Sequence, residues 1–249
     1  MNLLARFVRR FGFERRPSRR RRTNNRTGRI GLEGLEERCL PSISITEFAV
    51  PTANSGPVGI AAGPDGNLWF TEDMGDKIGR ITPTGTINQF AVLTANSAPF
   101  RIAAGPDGNL WFTEAKGNKI GSITPTGTIA EFAIPTANSG PVGIAAGPDG
   151  NLWFTEANGD NIGRITPTGT INEFAAGSFT YGIAAGPDGN LWFTEYQTDK
   201  IGRITPTGTI TEFAVPTAAS VPQGIAAGPD GNLWFLEAGG DKIGRITPN

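Results

Sequence analysis

Gly147-Pro148-Asp149-Gly150-Asn151-Leu152-Trp153-Phe154-Thr155-Glu156 occurs five times, nearly unchanged, in a chain of 249 residues, and the other copies start at Gly63, Gly105, Gly186 and Gly228. Neighbouring starts lie 42, 42, 39 and 42 residues apart, and self-similarity at a period of that size marks a propeller or a solenoid. Each decapeptide reads as a turn and then a strand. Pro presets φ, Asp-Gly makes the corner, and Leu-Trp-Phe-Thr is a short β-prone run. That run is apolar on both faces, so it needs cover on two sides, which neighbouring repeats would supply. Burying one Trp ring is worth about 4–6 kcal/mol as an upper bound. A column of such rings would be the main adhesive between repeats.

Working outward from the third copy, one unit reads as four strands: a near Gly143 to Ala146, b from Leu152 to Glu156, c from Asn161 to Thr166, and d from Thr170 to Phe174. Gly-Pro-Asp-Gly joins a to b, a polar Gly-containing loop joins b to c, and Thr-Pro-Thr-Gly joins c to d. Four antiparallel strands make one propeller blade. Ile45 to Val50 reads as a strand d with no a, b or c before it, and Ile243 to Thr247 as a strand c with no d after it. Counting these fragments gives five strands of each kind. The expectation is a five-bladed, all-β propeller over residues 42–249, closed by strand exchange in which the N-terminal d completes the last blade. Closure of that kind removes two exposed sheet edges.

The 35 Gly and 19 Pro suit short strands joined by turns. The formal charge of -1 conceals two unlike parts: residues 1–39 carry 12 Arg against 4 Glu, leaving 10 basic against 19 acidic residues in the remainder. Residues 1–41 lack the repeat and read as a disordered or transiently helical basic segment. An Arg-rich arm is able to bind nucleic acid through phosphates, but the acidic repeats behind it would repel the same polyanion, so no nucleic-acid partner is expected. The apolar clusters Met1 to Ala5 and Phe11 to Phe13 are too short for a membrane span or a Sec signal core. Arg9-Arg10-Phe11 is a weak twin-arginine pattern with no apolar segment after it. The lone Cys39 cannot build a disulfide framework or a Cys-based metal site within one chain. Histidine is absent.

Two resemblances add to this reading. Gly31-Leu32-Glu33-Gly34-Leu35-Glu36-Glu37-Arg38-Cys39-Leu40-Pro41-Ser42 is similar to a segment near the start of many exported bacterial surface proteins. It implies a secreted or cell-surface protein, with an uncleaved arm on a cytoplasmic protein as the alternative. The repeat Pro-x-Gly-Ile-Ala-x-Gly-Pro-Asp-Gly-Asn-Leu-Trp-Phe-Thr-Glu, followed by Lys-Ile-Gly-Arg-Ile-Thr, resembles the virginiamycin B lyase (streptogramin lyase) family of β-propellers over about residues 43–249. The resemblance implies a seven-bladed ring and a metal-dependent lyase that opens a cyclic depsipeptide by elimination at the ester. Histidines of that family correspond to the slot before Gly-Ile, and its catalytic carboxylate to the Glu ending the Trp-Phe-Thr-Glu run. Here the slots hold Val58, Phe100, Val142, Tyr181 and Gln223, and the matching carboxylates are Glu72, Glu114, Glu156, Glu195 and Glu237.

Strands a and b are antiparallel, so slot and Glu belong at the same end of each blade. Proton abstraction next to a carbonyl needs a base poised near neutral pH, and Val, Phe and Gln cannot supply one; Tyr would need a strongly shifted pKa. The five Glu suggest either an acidic ring for a divalent cation or side chains satisfied within their own repeats. The Asp of each Gly-Pro-Asp-Gly reads as a turn residue, not a ligand, and the Arg of Ile-Gly-Arg-Ile (Ser122 in one copy) as a group serving blade edges. Copies differ at the slots, at Arg101 in place of Gly, at Tyr196-Gln197 and in the shortened fourth connector, and these differences gather on one face. Drift after duplication would produce the same pattern.

The candidate ligand face therefore comprises Phe100, Arg101, Tyr181 and Gln223 with Glu72, Glu114, Glu156, Glu195 and Glu237. The expected function is a binding or scaffold module for a small molecule, peptide or glycan, monomeric if the ring closes, with no catalytic residue and no cofactor. The alternative is a lyase of the family's kind using Mg2+ in antibiotic resistance. A third class is a structural protein in which open arcs associate between chains.

Overall fold

The computed structural model describes residues 44–248, and those residues contain strands and turns but no helix, hence no helix long and apolar enough to cross a membrane. The basic segment 1–41 lies outside the described residues. Five antiparallel sheets follow one another along the chain. The first holds β1 (Pro57–Ala62), β2 (Leu68–Glu72), β3 (Lys77–Ile81) and β4 (Ile87–Ala91). The second holds β5 (Pro99–Ala104), β6 (Leu110–Glu114), β7 (Lys119–Ile123) and β8 (Ile129–Ala133). The third is β9 (Pro141–Ala146), β10 (Leu152–Glu156), β11 (Asn161–Ile165) and β12 (Ile171–Ala175). The fourth is β13 (Thr180–Ala185), β14 (Leu191–Glu195), β15 (Lys200–Ile204) and β16 (Ile210–Ala214). The last has three strands, β17 (Pro222–Ala227), β18 (Leu233–Glu237) and β19 (Lys242–Ile246). These are the five blades of a propeller.

The decapeptide builds each blade locally. Asp149 Oδ1 accepts hydrogen bonds from the Asn151 backbone NH at 3.3 Å and from the Trp153 indole NH at 3.0 Å, so one carboxylate closes the turn and aims the ring. Asp65, Asp107, Asp188 and Asp230 do the same for their own Trp. Gly147 must be Gly because a Cβ there would strike that indole. The Trp then stacks on the strand-d Phe of its own blade, at 5.6 Å between centroids for Trp153 and Phe174.

Junctions between blades are alike. Trp153 and Ile162 cluster with Ile183, Leu191 and Phe193 of the following blade. Thr155 Oγ1 accepts from Gly143 NH at 2.8 Å and donates to the Tyr181 carbonyl of that blade at 2.7 Å. Arg164 lies over Trp153 and donates to the Pro206 carbonyl at 2.9 Å, while Arg80 reaches Pro125 in the same way. The Arg thus ties one blade to the next blade's c–d turn.

The expected closing strand is not formed. Ser44–Val50 carry no strand pairing, and the last sheet ends at β19. Among the described residues four strand-d segments are paired, not five. Trp234 is 39% exposed and Ile243 68%, and on the first blade Ile60 is 66% exposed, whereas Trp69 and Ile78 are fully buried. The segment packs elsewhere: the Phe48 ring lies against Gly85 in the c–d turn of the first blade, as Phe90 lies against Gly127 in the next.

Candidate functional site

The start of each strand a is irregular in the same way. Pro141 pairs with Glu156 and Ile144 with Phe154, so Val142 and Gly143 oppose Thr155 alone across a β-bulge. Such bulges re-aim a side chain, and here they place slot residues around the inner opening between blades. A cavity of about 230 Å³ lies there, lined by Arg101, Val142, Tyr181 and Gly224 among others.

Of the residues singled out from sequence, Arg101 and Tyr181 line this cavity. Phe100 carries the Arg101 guanidinium over its ring at 5.0 Å. Gln223 lines a separate hollow on the open side of the last blade, with Leu236, Glu237 and Lys242. The five Glu stand at the expected end of strand b, each paired in register with the residue preceding the slot. They are not surface groups: Glu72, Glu114, Glu156, Glu195 and Glu237 are all buried. Each is enclosed by its own blade and connector, so the set does not form a ring of ligands. Among the described residues no three His, Cys, Asp or Glu side chains gather closely enough to hold a metal ion.

Burial governs their chemistry. Burial, with the neighbouring Glu131 charge second, pushes the Glu114 carboxyl up to about 7. Burial and then Glu173 push Glu156 up to about 7, and burial raises Glu195 as well. Both oxygens of Glu114 and one each of Glu156, Glu195 and Glu237 lack a hydrogen-bond partner. Glu131 goes the other way: burial opposes its charge, but hydrogen bonds from Lys119, Thr94 and Leu93 outweigh that and lower its pKa.

Two residues of the face were not included in the set drawn from sequence. Phe179 lies 5.3 Å from Tyr196, ring to ring, and Tyr196 lies 6.2 Å from Tyr181. The Tyr196 NH donates to the Phe179 carbonyl at 3.0 Å, and Asp160 Oδ1 accepts from the Phe179 NH at 2.9 Å. These bonds hold Phe179 at φ 54°, an unusual conformation for a bulky residue. The shortened fourth connector is what brings Phe179 over Tyr196. Its length and the Ala-to-Tyr change at 196 were the available signals.

Comparison with known proteins agrees with this architecture. The chain is 48% identical over 40 residues to virginiamycin B lyase of Bacillus licheniformis, a match spanning 16% of this chain and 14% of that enzyme. The crystal structure of virginiamycin B lyase from Staphylococcus aureus superimposes with a TM-score of 0.80 at 46% identity, over 83% of this chain and 71% of that one. A catalytically inactive histidine-to-alanine variant of the S. aureus enzyme, with quinupristin, superimposes with a TM-score of 0.77 at 44% identity, over 82% and 70% of the two chains. The model of the virginiamycin B lyase family matches residues 20–177, more than half of the sequence, and the chain belongs to that family.

Proposed function

We propose that this chain is a binding module of its family without lyase activity, exported to the cell surface, whose ligand meets the aromatic cluster Phe179, Tyr181 and Tyr196 beside Arg101. The observation that carries the reading is the absence of histidine from all 249 residues. In the S. aureus enzyme, replacing one histidine by alanine accompanies catalytic inactivity. Here Val58, Phe100, Val142, Tyr181 and Gln223 stand in the slots that the family resemblance assigns to histidine, so no imidazole is present to act as general base. The groups nearest a working base in pKa are Glu114 and Glu156, and both side chains are fully buried.

Three aromatic rings, one guanidinium and an adjoining cavity of about 230 Å³ suit a small ligand or a peptide loop bearing an aromatic group and an anionic or carbonyl oxygen. Export rests on the Gly31 to Ser42 segment alone. The test is incubation of the purified protein with quinupristin, with Mg2+ present and absent, followed by mass spectrometry, alongside a thermal-shift screen of peptides and glycans. The reading expects an unaltered antibiotic mass and at least one stabilising ligand; linearisation at an enzymatic rate overturns it.

A further inference from the structure

The third blade lacks a positive charge that the other four share. Lys77, Lys119, Lys200 and Lys242 begin β3, β7, β15 and β19, and Asn161 begins β11. In three of those four blades the lysine ammonium donates to a connector threonine: Lys77 to Thr52 at 2.5 Å, Lys119 to Thr94 at 2.5 Å and Lys242 to Thr217 at 2.9 Å. The fourth blade has the shortened connector, and there Lys200 donates to Glu212. With every group ionised, Glu114 and Glu131 with Lys119 carry one net negative charge, as do Glu195 and Glu212 with Lys200. Glu156 and Glu173 with Asn161 carry two.

The acceptors that surround the ammonium are kept. Lys119 Nζ lies 2.5 Å from Thr94 Oγ1 and 2.8 Å from Glu131 Oε2. Their counterparts in the third blade are Thr136 and Glu173, and Thr136 Oγ1 donates to Glu173 Oε2 at 3.1 Å as Thr94 Oγ1 does to Glu131 Oε2 at 2.6 Å. The β10–β11 register sets Asn161 opposite Glu156, as Lys119 is set opposite Glu114. Asn161 is a poor substitute for the ammonium. Its amide nitrogen stands 3.4 Å from both Thr136 Oγ1 and Glu156 Oε2, at the long end of hydrogen bonding, and it brings no charge. Glu156 is fully buried, and its Oε1 has no hydrogen-bond partner. A buried carboxylate left in that condition beside a second carboxylate is costly unless a cation or a proton joins it.

We propose that a monovalent cation of ammonium size, K+ or NH4+, binds between Glu156, Glu173 and Thr136, where the second blade has its lysine ammonium. One positive charge brings the third blade level with the second and fourth. K+ is held by neutral oxygens as well as by carboxylates, and NH4+ donates to the same acceptors as a lysine, so the Thr136 hydroxyl and the Asn161 amide oxygen complete the set without a third acid. Asn161, Glu173 and Thr136 are half-buried, which leaves an approach from solvent. The site is built from strands b, c and d and from the connector between β8 and β9. It uses none of the slot residues, so it is separate from the aromatic face.

The test is thermal unfolding of the full-length protein at pH 8, above the value of about 7 to which burial and then Glu173 push Glu156. KCl, NH4Cl and tetramethylammonium chloride are compared at one ionic strength, so screening is common to all three and only the two small cations fit. The melting temperature in K+ or NH4+ should exceed that in tetramethylammonium by roughly 2 °C or more, and the rise should saturate. Asn161→Lys supplies the ammonium covalently. It should melt above the unaltered protein in tetramethylammonium and lose the response to K+. Glu173→Gln removes one of the two carboxylates and should lose the response as well, which keeps the test decisive if the lysine variant folds poorly. Equal melting of the unaltered protein in all three salts overturns the inference, and so does the same rise in both variants. Crystals grown with Rb+ in place of K+ should show an anomalous peak between Glu173 and Thr136, and a map without one also overturns it.

Discussion

Gln89 donates its side-chain amide to both carboxylate oxygens of Glu72, at 2.7 and 2.8 Å, and so satisfies a charge that is fully buried. The other complete blades place Glu131, Glu173 and Glu212 at that position, which sets two carboxylates together. The second and fourth blades answer with a cation, Lys119 on Glu131 at 2.8 Å and Lys200 on Glu212. The third has Asn161 instead of Lys, and its Glu156–Glu173 pair has no cation beside it.

Glu173→Gln should therefore stabilise the protein. The substitution removes the like charge and gives Glu156 the amide donor that Glu72 already has, while the new Oε1 can keep one of the bonds from Thr136, as Gln89 Oε1 does with Thr52. Relief of one buried, poorly paired charge is worth about 1–2 kcal/mol. Urea unfolding at pH 8 should show a raised midpoint with an unchanged slope. A lowered midpoint would mean that the two Thr136 contacts require the carboxylate.

Stability should fall between pH 5 and pH 8. Glu114 and Glu156 titrate at about 7 in the folded chain and Glu195 is raised in the same direction, whereas unfolded carboxyls titrate near their ordinary values. In that window the folded state holds more protons than the unfolded one, so the slope of unfolding free energy with pH is negative. The loss is nearly complete about one unit above pH 7 and amounts to roughly 3 kcal/mol each for Glu114 and Glu156 as an upper bound. Below about pH 4 the trend reverses, because Asp149, Asp188 and Glu131 have lowered values and lose their hydrogen-bonded charge. Melting temperatures across this range should peak near pH 5, and Glu114→Gln should flatten the alkaline side. A curve flat from pH 5 to 8 would contradict the buried pairs.

Local features of the blade were legible because their causes are local. Asp149-Gly150 had to be a corner, Leu152 to Glu156 had to be covered on both faces, and the strands in the third copy begin and end within two residues of where the pattern puts them. The burial of the Glu was not legible, because the bulge at Val142-Gly143 and the connector over Glu156 decide which way a strand-end carboxyl points. Nor was the failure of Ile45 to Val50 to pair with β19. Its sequence suits that edge, but Phe48 equally suits the place it takes against Gly85, and the repeat pattern does not distinguish packing beside the first blade from pairing with the last.

Val221 is held at φ 50°, and its counterparts Gly56 and Gly140 stand at φ 60° and 61°. A β-branched residue in the left-handed region is a strained choice. Val221→Gly should raise stability by about 1 kcal/mol, the strain relieved being partly offset by a more flexible unfolded chain. Gly140→Val should lower it by at least as much. Chemical denaturation of both variants checks the pair, and a destabilised Val221→Gly would show that the Val side chain contributes more by packing than its backbone loses.

Tyr196 occupies a position filled by Ala115, Ala157 and Ala238 in other blades, all of which fold without an aromatic there. Tyr196→Ala should consequently leave the melting temperature within about a degree or two while removing the ring that links Phe179 to Tyr181. If the aromatic cluster is the binding site, any ligand that stabilises the unaltered protein in the thermal-shift screen should bind the variant at least tenfold more weakly, about 1.4 kcal/mol. Arg101→Gly, which restores the residue of the other copies, should weaken an anionic ligand and spare a neutral one, with the difference shrinking as salt is raised. Calorimetric titration of the two variants separates the contributions. Equal affinity of wild type, Tyr196→Ala and Arg101→Gly for the same ligand would place binding elsewhere, in the hollow lined by Gln223 and Lys242 on the last blade.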